Sequence, residues 1–301
     1  MSVAATAHPS VPVAGLMTPP CGFCAGDRIA DGFYHLHSRF DRAANFIGVP
    51  GLVCLVDASL GAGPNTLTLD STLRNASDSM SIRFPIMRLG DVSIDLSGFT
   101  IYDSRIKPLK QDRVLVRSHI ARLRLSLLLH APRPSLPQHL RCVRDARSCI
   151  RRSTFDTYLS TAFTRIASGI RLLSDDRLVE GLNRIAGCGP GLTPSGDDFI
   201  AGWLTGLHVA TLWFDHDEPD RIRLIRNTVS SGNPIVEDQF RFAAEGRVCE
   251  PMKELLMSLD APDETMIDRS VRRICGRGAS SGADFLAGFL FTFDQEFFSC
   301  H

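Results

Sequence analysis

The chain has 301 residues, 44% of them hydrophobic, enough to bury a sizeable core in two domains or one bilobed unit. Thirty-three basic residues balance thirty-three acidic ones, so no global field argues for nucleic acid or an anionic membrane, and any attraction for anions must be local. Among nine cysteines, Cys21-Gly-Phe-Cys24 is a single pair with no second pair to complete a zinc site; reduced thiols in a cytoplasmic protein are expected.

In chain order, residues 1–27 contain Pro9, Pro12, Pro19 and Pro20 but no basic stretch leading into a continuous apolar core. A flexible tail is expected there rather than a signal peptide. Residues 28–47 mix aromatics with His35, His37, Arg39, Arg42 and Asn45, which makes them either a site-facing edge or an ordinary surface segment. Strand patterns follow at 52–57, 66–69, 81–87 and 92–101, bounded by Gly and Pro. Gly63-Pro64-Asn65 between them is a plain turn or a loop presenting the Asn65 amide.

Val114, Leu115, Ile120, Leu123, Leu127 and Leu128 recur at helical spacing over 112–130, and Pro132, Pro134 and Pro137 then break the chain. We therefore expect an α+β protein: a β-rich lobe over 28–131 followed by a mainly helical lobe over 138–301. In the second lobe, Phe155 to Ile170 and Leu178 to Ile185 read as amphipathic helices, as do Val236–Glu245 and Pro251–Leu259. The longest apolar runs, Phe199 to Phe214 and Phe285 to Phe298, are interrupted by glycine, histidine or acid and read as buried helices, not membrane spans.

The second lobe is organised around Gly187-Cys-Gly-Pro-Gly-Leu-Thr-Pro-Ser-Gly-Asp-Asp-Phe-Ile-Ala-Gly202, a glycine-rich loop that opens into a helix near Ser195. Glycine lets backbone N–H groups approach a ligand closely, and the helix start adds unpaired N–H groups and a positive dipole end. The loop has neither the Gly-Lys-Ser/Thr of a P-loop nor the Gly-x-Gly-x-x-Gly of a dinucleotide site. A weaker copy, Ser281-Gly-Ala-Asp-Phe-Leu-Ala-Gly288, matches Ser195–Gly202 at six of eight positions, which implies an internal duplication of a loop-to-helix corner.

The spacing of Ser195 with Asp198, and of Ser281 with Asp284, fits a capping box, in which both residues serve the helix start. Asp197 has no counterpart, because Ala283 stands there, and this points to chemistry. Gly191 is replaced by Arg277 in the second copy, and Thr193 by Ala279. Amides and hydroxyls here favour an anion while two carboxylates repel one, so a ligand with an acidic end and an amide end would satisfy both. A Mg²⁺ ion bridging Asp197 and Asp198 is the other way to reconcile them.

These motifs, with His37-Ser-Arg-Phe, Asn45-Phe and Gly63-Pro-Asn65, resemble the bacterial domain-of-unknown-function family that includes the AllH subunit of oxamate carbamoyltransferase. The resemblance spans roughly residues 30–295. It implies one component of a multi-subunit enzyme of allantoin and purine breakdown, beside FdrA-like and AllG-like partners. It also implies transfer of a carbamoyl group from a carbamoylated amide to phosphate, giving carbamoyl phosphate. The chain departs from the family by its N-terminal extension and by a Gly-Asn-Pro interruption within 227–236, where a smoother helix start is expected. On this reading Asp197 and Asp198 are the catalytic candidates. Gly189, Gly191, Thr193, Ser195, Gly196, Asn65, His37, Asn45, Arg277, Ser281 and Asp284 would bind the substrate, carbamoyl phosphate or phosphate, with no dedicated metal ligands. A scaffold whose corners are only tight helix junctions, and a Mg²⁺-dependent phosphate-binding enzyme using Asp197 and Asp198, are the competing readings.

Overall fold

The computed structural model describes residues 16–17, 23–138 and 154–293. Most of the expected tail, Cys21, and the stretch from 139 to 153 lie outside the described residues. The chain divides into two compact units, Met1–Tyr102 and Asp103–His301.

The first unit is a ten-stranded sheet in the order β1-β9-β8-β7-β3-β4-β5-β6-β2-β10. Its strands are β1 (Leu16–Met17), β2 (Cys24–Gly26), β3 (Gly32–Phe40), β4 (Ala43–Gly48), β5 (Gly51–Val56), β6 (Thr66–Thr68), β7 (Ser79–Arg83), β8 (Ile86–Leu89), β9 (Val92–Asp95) and β10 (Thr100–Tyr102). A short helix α1 (Ser71–Arg74) follows β6, with Asp70 accepting from the Leu73 N–H at its start. Tyr34, Phe46, Val53, Leu55, Leu67, Met80, Ile82, Met87 and Ile94 form one apolar core, to which the segments predicted as strands contribute Val53, Leu55, Leu67, Ile82, Met87 and Ile94. The single strand expected over 81–87 is in fact a hairpin, β7 and β8, turning at Phe84 and Pro85, because proline cannot continue the ladder.

The second unit is helical. Its elements are α2 (Arg113–His130), α3 (Thr154–Arg171), α4 (Asp175–Ile185), α5 (Ser195–Phe214), α6 (Pro219–Thr228), α7 (Pro234–Ala244), α8 (Glu250–Leu259), α9 (Ile267–Cys275) and α10 (Ser281–Phe291). Helix α2 shares an apolar cluster with α8, α9 and α10 through Val116, Ile120, Leu123 and Leu127. The unit boundary therefore falls at Tyr102, ahead of the prolines where the sequence placed it. A second cluster joins α3, α4, α5, α6 and α7 around Phe163, Leu182, Phe199, Trp203 and Phe240.

Helices α5 and α10 run through the middle of this unit, and their apolar composition on all sides follows from burial between the two clusters. They cross where glycines let backbones touch. A Cβ on Gly202 would lie 1.9 Å from the Phe285 carbonyl oxygen, and one on Gly288 would lie 1.9 Å from that of Phe199. The reciprocity, Gly202 on Phe285 and Gly288 on Phe199, relates equivalent positions of the two sequence copies. It continues into the preceding helices: Gly196 abuts the carbonyl of Ile185, the last residue of α4, and Gly282 abuts that of Ile274 near the end of α9. The repeat is thus helix, loop, helix, twice over.

Candidate functional site

The first corner is the loop between α4 and α5. Gly187, Gly189 and Gly191 have φ of 72°, 124° and 98°, the left-handed region that excludes most side chains. Positions 187 and 191 face open space, whereas a Cβ at 189 would sit 2.6 Å from the Ser195 nitrogen. The glycines therefore shape the turn, and the one at 189 also lets the loop close onto the helix start.

Part of the backbone is already committed. The Cys188 N–H donates to Ile185 O, Gly196 N–H to Cys188 O, and the Asp197 and Asp198 N–H groups to Pro194 O. The N–H groups of Gly189, Gly191, Leu192, Thr193 and Ser195 donate to no acceptor among the described residues, and all five residues are at least partly exposed. They stand at the positive end of a twenty-residue helix, the arrangement that binds anions.

Asp197 is buried, and both of its oxygens are taken. Oδ1 accepts from the Gly187 N–H at 2.8 Å and Oδ2 from the Ser231 hydroxyl at 2.6 Å. Burial pushes its carboxyl above the usual carboxylate range, with Glu237 adding to the rise and the two hydrogen bonds opposing it. This side chain holds the loop to the segment before α7 instead of facing a ligand.

Asp198 is also fully buried. Its Oδ1 accepts from Gln239 Nε2 at 3.3 Å, while Oδ2 makes no hydrogen bond of ordinary geometry among the described residues. Desolvation raises its pKa well above the ordinary value, and Asp284 adds to the rise. The nearby hydroxyls of Ser281 and Thr193 and the Gln239 amide act against it. Thr193 Oγ1 lies 3.4 Å from Ser281 Oγ, so the two repeats meet through a hydroxyl pair with Asp198 behind it.

The capping boxes expected from spacing do not form. The residues before the first helical turns are Pro194 and Ser280, and neither makes a side-chain capping bond. Asp198 turns inward toward α7, and Asp284, fully buried, accepts the Leu136 N–H at 2.6 Å. Asp284 also helps push the buried Cys275 thiol up to about 12, after burial itself. At the second corner, Arg277 donates to Cys249 Sγ at 3.2 Å, and its carbonyl accepts from the Gly282 N–H.

The remaining predicted residues belong to the sheet unit. Asn65 is buried, donating to Leu52 O at 3.1 Å while its carbonyl accepts from the Cys54 N–H, so its amide serves the β5–β6 connection. Asn45 Nδ2 donates to Ser38 Oγ at 2.9 Å across β4 and β3. His37 is exposed at the bulge in β3, beside Ser38.

Sequence reasoning missed the segment between α6 and α7. Asn233 caps α7 by accepting from the Ile235 N–H and donates through Nδ2 to Leu192 O at 2.7 Å, while Ser231 reaches Asp197. The Gly-Asn-Pro interruption is thus the clamp on the glycine loop. Its Asn followed by Pro is a helix-start signal, but the partner 41 residues away is not written locally.

Among the described residues, no three His, Cys, Asp or Glu side chains are grouped to hold a metal ion, and no helix is long and apolar enough to cross a membrane. No solved structure matches the chain. Residues 185–293, from the end of α4 through both corners, match the family model of oxamate carbamoyltransferase subunit AllH, which bears out over that span the resemblance read from the two motifs.

Proposed function

We propose that this chain is a subunit of a carbamoyltransferase of the oxamate type, working in allantoin and purine breakdown with FdrA-like and AllG-like partners. The loop Gly187–Pro194 receives the phosphate. In the reaction a phosphate oxygen attacks the carbamoyl carbon of a carbamoylated amide; the new C–O bond forms, the C–N bond breaks, and the departing nitrogen takes up a proton. The observation that carries this reading is the row of uncommitted N–H groups at Gly189, Gly191, Leu192, Thr193 and Ser195, inside the span that matches the family. Such groups, fixed before a ligand arrives, stabilise charge on phosphate oxygens without reorganisation. The Thr193, Ser195 and Ser281 hydroxyls extend the same donor surface. Among the described residues, Cys188, Cys249 and Cys275 form no disulfide, which suits the cytoplasmic location we assign to the complex.

Millimolar phosphate or carbamoyl phosphate is expected to raise the melting temperature of the purified chain, and Gly191→Val is expected to reduce that rise by crowding the loop out of its φ of 98°. No rise in the wild type, or the same rise in the variant, overturns the assignment.

The tight reciprocal crossing at Gly202 and Gly288 favours a second reading, a scaffold that only docks catalytic subunits. It predicts that a complex assembled with Thr193→Val and Ser281→Ala keeps full carbamoyl transfer, whereas Gly202→Leu prevents assembly.

A further inference from the structure

The hydroxyl pair between the corners has a direction. Thr193 Oγ1 donates to Ser281 Oγ at 3.4 Å; both are half-buried and backed by the fully buried Asp198, whose Oδ2 makes no hydrogen bond of ordinary geometry among the described residues. We propose that Asp198 is a positioning residue that couples anion binding at the corners to uptake of a proton: as a neutral acid it donates to Ser281, which in turn donates to Thr193, leaving the Thr193 hydrogen to point outward at the anion. This inference rests on the anion-site reading of the glycine loop.

As a carboxylate, Asp198 draws the hydroxyl hydrogens inward, and oxygen lone pairs then face the ligand. As an acid it reverses the chain. A hydroxyl is both donor and acceptor, so a single proton on Asp198 turns both hydroxyls. The neutral form also removes a negative charge from the first turn of α5, which strengthens the field of the helix start on an anion.

The surroundings favour that protonation. From α10, Asp284 faces Asp198 with like charge, and from α7 comes the uncharged Gln239. Glu237, also on α7, acts on Asp197, whose two oxygens are committed to Gly187 and Ser231. Phe163 of α3 and Ile185 of α4 belong to the apolar cluster that also holds Phe199 and Ile200, the two residues following Asp198. Burial is the largest cause of the upward shift in the Asp198 pKa.

The sign follows from linkage. An anion that prefers the protonated site binds more tightly at low pH and weakens by up to about tenfold per pH unit above the Asp198 pKa. Sulfate is the suitable probe, because unlike phosphate it does not itself titrate near neutrality. Titration calorimetry of the full chain with sulfate from pH 5.5 to 8.5, in buffers of different ionisation enthalpy, should show affinity falling with pH and net proton uptake. Asp198→Asn, permanently neutral and able to donate, should retain sulfate binding at pH 8 and lose both the proton uptake and most of the slope. Ser281→Ala leaves Asp198 in place but cuts the chain of hydroxyls, and it should flatten the slope as well. Equal slopes in wild type and Ser281→Ala, or wild-type binding without proton uptake, overturn the coupling while leaving the anion site standing. Absence of sulfate binding in all three proteins at every pH overturns the anion site and the coupling together.

Discussion

At the scale of single residues, the two adjacent carboxylates of α5 do different work although both are buried. Asp197 closes two donors, the Gly187 N–H and the Ser231 hydroxyl. Asp197→Ala removes the acceptor of both; each donor is at least partly exposed and can turn to water, so the loss is the net worth of two hydrogen bonds, about 0.5–1.5 kcal/mol each. We expect Asp197→Ala to lower stability by that order in urea melts and to increase amide exchange at Gly187, with Ser231→Ala reproducing a smaller part of the loss. A change at Asp198 acts through protonation instead. Its folded pKa is raised above the unfolded value, chiefly by burial, so the stability it contributes is complete at pH below the ordinary carboxylate range and is lost as pH rises through the raised value. Asp198→Asn removes that dependence. The stability of the variant relative to wild type should therefore climb between pH 4 and pH 8, and a gap that stays constant or shrinks in urea melts across that range contradicts the neutral-acid assignment.

At the scale of elements, the pair α5 and α10 is fixed by two glycines that each meet the other helix's backbone. Gly202→Ala and Gly288→Ala each drive a methyl against a carbonyl oxygen, at 1.9 Å before relaxation, and the helices must separate. Overpacking of this kind costs about 1–3 kcal/mol. Once one alanine has spread the helices, the second meets less resistance, so the double variant should be less destabilised than the sum of the singles by at least about 0.5 kcal/mol. Strict additivity in a denaturant double-mutant cycle would mean the two contacts do not share one crossing. Both glycines could be read from the sequence, because the copy Ser-Gly-x-Asp-Phe-x-Ala-Gly repeats them and small residues mark close helix approach. The helical periodicities of α2, α3, α4, α7 and α8 were legible for a similar reason, since each buries one face. The carboxylate directions were not legible. Spacing places Asp198 and Asp284 three residues after a serine, but whether they turn back to the cap or inward depends on Gln239 and the Leu136 N–H, which arrive from distant parts of the chain. The clamp formed by Ser231 and Asn233 was hidden for the same cause, and the prolines at 132–137 misplaced the boundary because they punctuate the chain without saying which core the preceding helix joins.

At the scale of the whole molecule, each apolar cluster is confined to one unit: one to residues 25–99, the other two to residues 106–291. Every group assigned to the anion site, from Gly187 and Thr193 through Ser231, Gln239 and Ser281, comes after Tyr102. The sheet residues named from the family resemblance make bonds within their own unit, Asn65 to Leu52 and Asn45 to Ser38. A unit with its own core can fold alone. We therefore expect residues 103–301, produced without the sheet unit, to unfold cooperatively and to bind sulfate within about threefold of the full chain, a difference of about 0.65 kcal/mol. Cooperative folding with binding weakened a hundredfold contradicts this expectation and makes His37, Asn45 and Asn65 the residues to test. Replacing each of the three by alanine in the full chain then identifies which one contributes to binding.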